Sequence, residues 1–257
     1  MSVDFHTRDA LTEFLLRLGD DRLVLGHRLS EWCGHAPVLE EDIALANIAL
    51  DELGQASAFL HLAGEIEGSG RTEDDFAYFR EAIQFTNILL VEQPNNDFAT
   101  TIARQFFFDA YNFSLLQFLQ QSAHEQLAGI AAKGFKEATY HLRHSKEWML
   151  RLGDGTEESH RRLQVSVNEL WPFTKELFAL DKTEHALISE GIIPALDDLD
   201  KNWRELVTGV LVSATLVVPE NDGHMFSGSR NGKHSEHLGH MLAEMQILAR
   251  SFPGAKW

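Results

Sequence analysis

Cysteine is nearly absent from the sequence of 257 residues, because Cys33 is the only one. A single cysteine excludes an internal disulfide and fits a reducing compartment. Basic residues are also few, with 22 Lys and Arg against 39 Asp and Glu, and the formal net charge is −17. That charge argues against nucleic acid or a membrane surface as a partner, since both are anionic. No apolar run has the length of a membrane span and no signal peptide is evident, so we expect a cytoplasmic protein.

The alternating β-branched pattern of strands is scarce, and apolar residues instead recur at helical spacing. This pattern predicts long helices over residues 7–33, 39–64, 97–122 and 124–152, and shorter ones over 76–92, 157–180, 195–216 and 234–252. We predict an all-α fold in which residues 1–257 form one domain. Two helical hairpins form a four-helix bundle, joined by a long connection and surrounded by the additional helices, as in ferritin-like proteins.

One predicted helix carries a polar face. Glu137, His141, His144 and Trp148 recur at spacings of four, three and four residues, which places them on one side of the helix. Apolar residues fill much of the remaining surface, so this helix is predicted to be mostly buried. A buried carboxylate beside buried histidines is unfavourable unless a metal or a network of counter-charges compensates it. Which of the two is present decides the function.

The predicted hairpins bring acidic residues together. Folding about residues 36 and 37 places Asp51 opposite Asp20 and Asp21, and folding about residues 122 and 123 places Glu137 opposite Asp109. Either Asp20 or Asp21 faces inward on the first helix. The sequence therefore predicts four acids, one from each core helix, that converge in the middle of the bundle, as in a carboxylate-bridged dimetal site.

The ligand signature of such a site is incomplete. A di-iron bundle takes one Glu from each of two helices and Glu-x-x-His from each of the other two. Here the predicted register gives Asp51-Glu-Leu-Gly54 and Glu137-Ala-Thr-Tyr140. His141 comes one residue after the expected histidine position, so its side chain is rotated by about 100° around the helix. We expect these degenerate positions to be empty, with their acids held by hydrogen bonds and arginines. The candidate arginines are Arg28, Arg104 and Arg143. The alternative is a site that has lost some of its ligands but still binds metal.

Four long runs of sequence carry a family resemblance. They are LRLGDDRLVLGHRLSEWCGHAPVLEEDIALANIALDELGQA, NILLVEQPNNDFATTIARQ, KEATYHLRHSKEWMLRLGDGT and SEHLGHMLAEMQ. In these runs the chain resembles the structural subunits of bacterial phenylacetyl-CoA epoxidases, the multicomponent monooxygenases of aerobic phenylacetate degradation. The resemblance extends from about Leu16 to Trp257, and its motifs are long and specific.

The resemblance implies a ferritin-like fold and a role as a structural subunit without catalytic residues of its own. It implies a heterodimer or larger hetero-oligomer with a homologous catalytic subunit that carries the di-iron site, together with further epoxidase components. No metal or other cofactor is implied on this chain, whereas NADPH, flavin and an iron–sulfur centre belong to the reductase component. The implied reaction uses O2 and electrons from that reductase to convert the aromatic ring of phenylacetyl-CoA to an epoxide.

Three further patterns admit two interpretations each. His234, His237 and His240, followed by Glu244, form either a metal patch or a polar helix face that docks on a subunit or on the bundle, and the second interpretation is favoured. Cys33 is either a reactive thiol or, as we predict, a buried and inert side chain.

The third pattern is a polar edge on the predicted helix 76–92, formed by Arg80, Gln84 and Asn87. It is either a solvated face or, given the resemblance, a contact of Gln84 and Asn87 with the CoA part of a substrate held by the partner.

Aromatic side chains are abundant, with 17 Phe and 5 Trp. Some are predicted to lie at a subunit interface, with Trp148, Trp171, Trp203 and Phe178 as candidates. Two other functions stay open beside the structural subunit. They are a dimetal oxidase or oxygenase that is active by itself, and a stand-alone helical module that binds an acyl-CoA.

Overall fold

A computed structural model describes residues 5–220 and 224–255, with only the backbone described at residues 5 and 6. The described residues form ten α-helices and no strand, which confirms the predicted all-α class. The helices are α1 (Phe5–Ser30), α2 (Leu39–Glu67), α3 (Glu73–Tyr78), α4 (Leu89–Glu92), α5 (Phe98–Leu119), α6 (Glu125–Gly153), α7 (Glu157–Leu170), α8 (Lys182–Ser189), α9 (Leu199–Ser213) and α10 (Glu236–Ser251). None of these helices combines the length and the apolarity that crossing a bilayer requires.

Contacts within the chain divide it into two compact units. The first unit comprises Met1–Gln93, Leu180–Glu190 and Gly228–Trp257, and it therefore contains α1–α4, α8 and α10. The second unit comprises Pro94–Ala179 and Gly191–Ser227, with α5, α6, α7 and α9. This division does not test the prediction of a single domain over residues 1–257, which stays a prediction.

The first unit is built on the α1–α2 hairpin, whose helices approach each other closely at two glycines. A Cβ atom at Gly19 would lie 2.6 Å from Cδ2 of Leu60, and one at Gly26 would lie 2.9 Å from Cγ of Leu53. Since real Cβ atoms do not approach neighbours so closely, glycine is what allows α1 to lie against α2. This close packing fixes the register of the hairpin, and with it the direction in which each acid of α1 points.

The predicted helix over residues 76–92 is wrong. Only α3 and α4 are α-helical there, separated by a 3-10 turn at Ala82–Gln84 and an extended segment. The backbone N–H groups of Thr86 and Ile88 donate to Asp20 and Asp21 of α1, at 2.8 and 2.7 Å. These donors are therefore used across the unit instead of along a helix, which explains why the helical pattern of the sequence is overridden.

The second unit has an aromatic core around α5. The indole N–H of Trp203 donates to the carbonyl of Phe107 at 2.9 Å, and the ring of Trp171 lies 5.7 Å from that of Trp203. Phe178 packs edge-on against Trp203 as well. Trp171 and Trp203 are buried within this unit, so the prediction that they lie at a subunit interface is wrong for these two. Trp148 is half-buried, against Phe98.

Cys33 is exposed, which contradicts the prediction that it is buried. The reason is that α1 ends at Ser30, before the predicted end, so Cys33 lies in the turn between α1 and α2.

Candidate functional site

Asp20 lies on α1, is fully buried and accepts four hydrogen bonds. Two come from the Nη atoms of Arg80, and two come from the backbone N–H and the hydroxyl of Thr86, at 2.8 and 3.0 Å. Arg80 is itself buried, with its guanidinium over the ring of Phe85. Oδ2 accepts three of these hydrogen bonds and Oδ1 accepts the fourth, so both oxygens of Asp20 are engaged by donors of the protein.

Asp21 is the next buried acid of α1. Its oxygens accept from both Nη atoms of Arg230, at 3.2 and 3.0 Å, and from the backbone N–H of Ile88. Burial raises the pKa of the Asp21 carboxyl above its usual range, and the ion pair with Arg230 offsets this only in part. Both candidates for the first inward acid are therefore buried, and each is held by an arginine.

Arginines pair with Asp20 and Asp21, as expected, but they are not the predicted arginines. Arg28 pairs with Glu31 and donates to the backbone carbonyl of Glu92. Arg104 donates to Asn95, and Arg143 pairs with Glu147 in solvent. Arg80 and Arg230 are distant in sequence from α1, by 60 and 209 residues, and no local spacing indicates them.

A third buried acid, Glu92 of α4, is one that the sequence pattern does not indicate. Its carboxylate accepts from the backbone N–H of Ser235 at 2.7 Å, from Nδ1 of His234 at 3.1 Å and from Nδ2 of Asn87 at 3.3 Å. Nε2 of His234 lies 2.9 Å from the carbonyl oxygen of Phe85. Because both ring nitrogens of His234 face acceptors, the doubly protonated imidazolium is the form that satisfies this geometry.

The pKa of His234 agrees with that geometry. Burial lowers the pKa, but the hydrogen bonds to Glu92 and to the carbonyl of Phe85, with the negative charges of Glu92 and Asp20, raise it above the usual 6.5. His234 precedes α10, which begins at Glu236, so the predicted helix face shared by His234, His237 and His240 does not exist. His234 instead docks on its own unit through Glu92 and Phe85.

One short loop delivers both Arg230 and His234. It contains a 3-10 turn at Ser229–Asn231 between two glycines with positive φ, 118° at Gly228 and 73° at Gly232. A Cβ atom at Gly232 would also lie 2.5 Å from the carbonyl oxygen of Ile83. The loop therefore needs glycine to bring its two cations to the buried acids of α1 and α4.

On α2 the inward acid differs from the predicted one by a single residue. Asp51 is half-buried, whereas Glu52 is fully buried and Gln55, three residues later, is buried as well. Oε1 of Gln55 accepts from Nε of Arg22 at 3.0 Å. The buried face of α2 includes Ile48, Glu52 and Gln55, so Glu52 takes the inward position and the motif on this helix is Glu52-x-x-Gln55.

In the second unit, Asp109 of α5 is fully buried and accepts from Nε2 of Gln105 at 2.7 Å and from Oγ of Ser145 at 2.6 Å. The residue of α6 opposite Asp109 is therefore Ser145. The predicted partner, Glu137, is 22% exposed and pairs with Lys133 at 3.9 Å.

His141 is the buried histidine of α6, while His144 and Trp148 are half-buried. Three residues before His141 stands Ala138, which is also buried. The inward motif of α6 is therefore Ala138-x-x-His141, which has a histidine but no glutamate.

These motifs decide how well the described residues suit a di-iron centre. The Glu-x-x-His pair is required on two helices. α2 has the glutamate with Gln55 in the place of histidine, and α6 has the histidine with Ala138 in the place of glutamate. On α1, Asp20 and Asp21 are taken by arginines. The donor set of the described residues does not fit a complete di-iron centre.

The predicted contact with the CoA part of a substrate also changes. Asn87 is fully buried, where it donates to Glu92 and to the carbonyl of Ile88, so it does not reach a ligand at the surface. Gln84 is exposed, and its Oε1 accepts from the backbone N–H of Glu81 at 2.8 Å. The contact of Gln84 with the CoA part of the substrate therefore stays a prediction, and the contact of Asn87 does not.

Comparison with known proteins agrees with the resemblance in the sequence. A family model described as phenylacetic acid catabolic protein matches residues 3–257. One of the subunits of the 1,2-phenylacetyl-CoA epoxidase from Escherichia coli (strain K12) is 52% identical over 247 residues, which cover 96% of this chain and 99% of that relative. The ferritin-like helical fold of the family agrees with the predicted fold. The chain therefore belongs to the phenylacetic acid catabolic protein family.

Proposed function

We propose that this chain is the non-catalytic structural subunit of a multicomponent phenylacetyl-CoA epoxidase. In this proposal it holds and stabilises a homologous catalytic subunit, in a heterodimer or a larger hetero-oligomer. The observation that carries the proposal is the divided ligand motif, with Glu52-x-x-Gln55 on α2 and Ala138-x-x-His141 on α6. The similarity to an epoxidase subunit from Escherichia coli supports the assignment to such an enzyme.

The remaining cofactors belong to the partners in this proposal. A di-iron centre on the catalytic subunit supplies the activation of O2, and the reductase component carries NADPH, flavin and an iron–sulfur centre. The complex works in the cytoplasm on phenylacetyl-CoA. This chain contributes no group to the reacting atoms, and its part is to fix the position of the catalytic subunit.

The buried ion pairs explain how such a chain folds without a metal. Asp20, Asp21 and Glu92 are three buried acids of the first unit, and unpaired charges there would be strongly destabilising. Arg80, Arg230 and His234 supply one cation for each acid. These cationic side chains thus neutralise the buried carboxylates, as metal ions neutralise the ligands of a carboxylate-bridged site.

The surface that we propose for the catalytic subunit is the outer face of α2. Ile43, Asn47, Leu50, Gly54 and Ser57 follow one another at helical spacing, and all are exposed. Ile43 and Leu50 expose 54% and 66% of their surface. These five residues carry no charge over about four turns of helix, although the chain as a whole is strongly acidic. An uncharged helical face that includes a glycine suits close packing against a helix of a partner.

Substitution on this face tests the association. Ile43→Glu and Leu50→Glu, singly and together, are expected to weaken binding of the catalytic subunit by at least about 2 kcal/mol for the pair, because charges enter an apolar interface. The measurement is the dissociation constant by calorimetry, together with epoxidation of phenylacetyl-CoA by the reconstituted complex. Val212→Glu, an exposed apolar position on α9, is the matched control and should change neither. Unchanged affinity in the double variant would contradict the proposed surface.

A further inference from the structure

A second apolar surface of the first unit lies between α3 and α10. It is a groove of about 620 Å³ lined by Tyr78, Phe79, Met245, Leu248 and Phe252. Phe79 exposes 46% of its surface, and Leu248 and Phe252 each expose 57%. Exposed aromatic and leucine side chains, gathered with the half-buried Met245 in one concave place, are typical of a protein-binding groove.

The groove is held open by polar contacts beneath it. The buried Gln246 of α10 donates through Nε2 to the carbonyls of Ala77 and Arg80, at 2.9 and 3.1 Å. Arg250 of α10 donates to the carbonyls of Tyr78 and Arg80, at 3.0 and 2.8 Å. These bonds fix the distance between the two walls, so the apolar side chains do not close on one another. A surface organised in this way loses little entropy when it binds.

The charge at the groove selects the kind of occupant. Asp74 and Asp75 are among the lining residues, and no Lys or Arg is among the described residues that line the groove. Asp75 caps α3 through Thr72, whereas Asp74 is exposed. Acidic residues at an apolar groove repel a CoA thioester and an anionic lipid surface, and they attract a Lys or Arg side chain.

We propose that this groove binds a segment of a partner protein in which an aromatic or long aliphatic side chain stands beside a Lys or Arg. The apolar side chain enters between Phe79 and Leu248, and the cation lies over Asp74, in the helix-in-groove manner. The partner is a component of the epoxidase other than the catalytic subunit, because we assign that subunit to the outer face of α2. In this respect the inference rests on the proposed function.

The test uses the full chain and each purified component of the epoxidase as a separate probe, with binding followed by biolayer interferometry. One component other than the catalytic subunit is expected to bind, and Leu248→Ser with Phe252→Ser should weaken that binding at least tenfold. Ile247→Ser is the matched control, because Ile247 is 62% exposed on the same helix but does not line the groove. Asp74→Lys should also weaken binding, by a factor that shrinks at high salt.

Several results would overturn the inference. One is that the substitutions change the binding of no component. A second is that anionic phospholipid vesicles bind in a way that depends on Leu248. A third is that a component binds only after residues 256 and 257 are removed. The last would assign the groove to the end of the chain itself. Binding of the catalytic subunit is measured in parallel. If the unsubstituted chain does not bind the catalytic subunit, the proposed function is contradicted. If it binds that subunit but the groove substitutions change the binding of no component, this inference alone is contradicted.

Discussion

Replacement of Arg230 by methionine is expected to lower the free energy of unfolding by about 3–5 kcal/mol, the range for a buried ion pair that loses one partner. The physical reason is that Asp21 stays fully buried, while its two hydrogen bonds from the guanidinium disappear. The backbone N–H of Ile88 remains as a donor, but it carries no charge to balance the carboxylate. Denaturant unfolding at neutral pH, followed by circular dichroism, measures the change.

Two further variants distinguish the ion pair from a general effect on the loop. Lys233→Met removes an exposed cation from the same loop and should change stability by less than about 0.5 kcal/mol. Adding Asp21→Asn to Arg230→Met should restore most of the loss, because the uncompensated charge is then gone. Burial raises the pKa of Asp21, so the folded protein disfavours its ionised form relative to water even beside Arg230. A double variant as unstable as the sum of the two single ones would contradict this explanation.

His234→Gln is expected to lower stability by about 3 kcal/mol at pH 6, and by much less at pH 9. The folded-state pKa of His234 is raised, so the ion pair with Glu92 contributes fully below the unfolded-state pKa, near 6.5. The contribution is lost as the pH rises through the folded-state pKa. The charged groups that act on this imidazole are Glu92 on α4 and Asp20 on α1. Arg28 on α1 donates to the backbone carbonyl of Glu92.

The measurement is the free energy of unfolding of both proteins from pH 5.5 to 9.5. The curves should converge as the pH increases. Because all other titratable groups are common to both proteins, the difference between the curves isolates His234. Parallel curves over the whole range would show that His234 is neutral in the folded protein, contrary to the geometry of its two acceptors.

Periodicity in the sequence predicted the long helices and the all-α class, since α1, α2, α5 and α6 each carry many buried apolar residues at helical spacing. It did not predict the register of the hairpins. An error of one residue in the register selects a side chain that is rotated by about 100° from the inward one. The buried face of α2 includes Ile48 and Gln55, so Glu52 and not Asp51 faces inward.

The partners of the buried acids could not be predicted either, because they come from far along the chain. Arg230 and His234 lie 209 and 142 residues from Asp21 and Glu92, in a loop with no regular pattern. The same long-range contacts explain the missing helix at residues 85–88, where the apolar pattern is helical but Asp20 and Asp21 draw the backbone N–H groups away from a helix. Local propensity gives way where tertiary hydrogen bonds are available.

Iron content is the most direct test of the central claim. The chain is expressed alone and with its catalytic partner, the two subunits are separated, and the iron on each is measured by elemental analysis. The account predicts iron far below one ion per chain on this subunit in both preparations, and about two ions on the partner. About two iron ions bound to this chain would contradict the account and indicate an oxygenase in its own right.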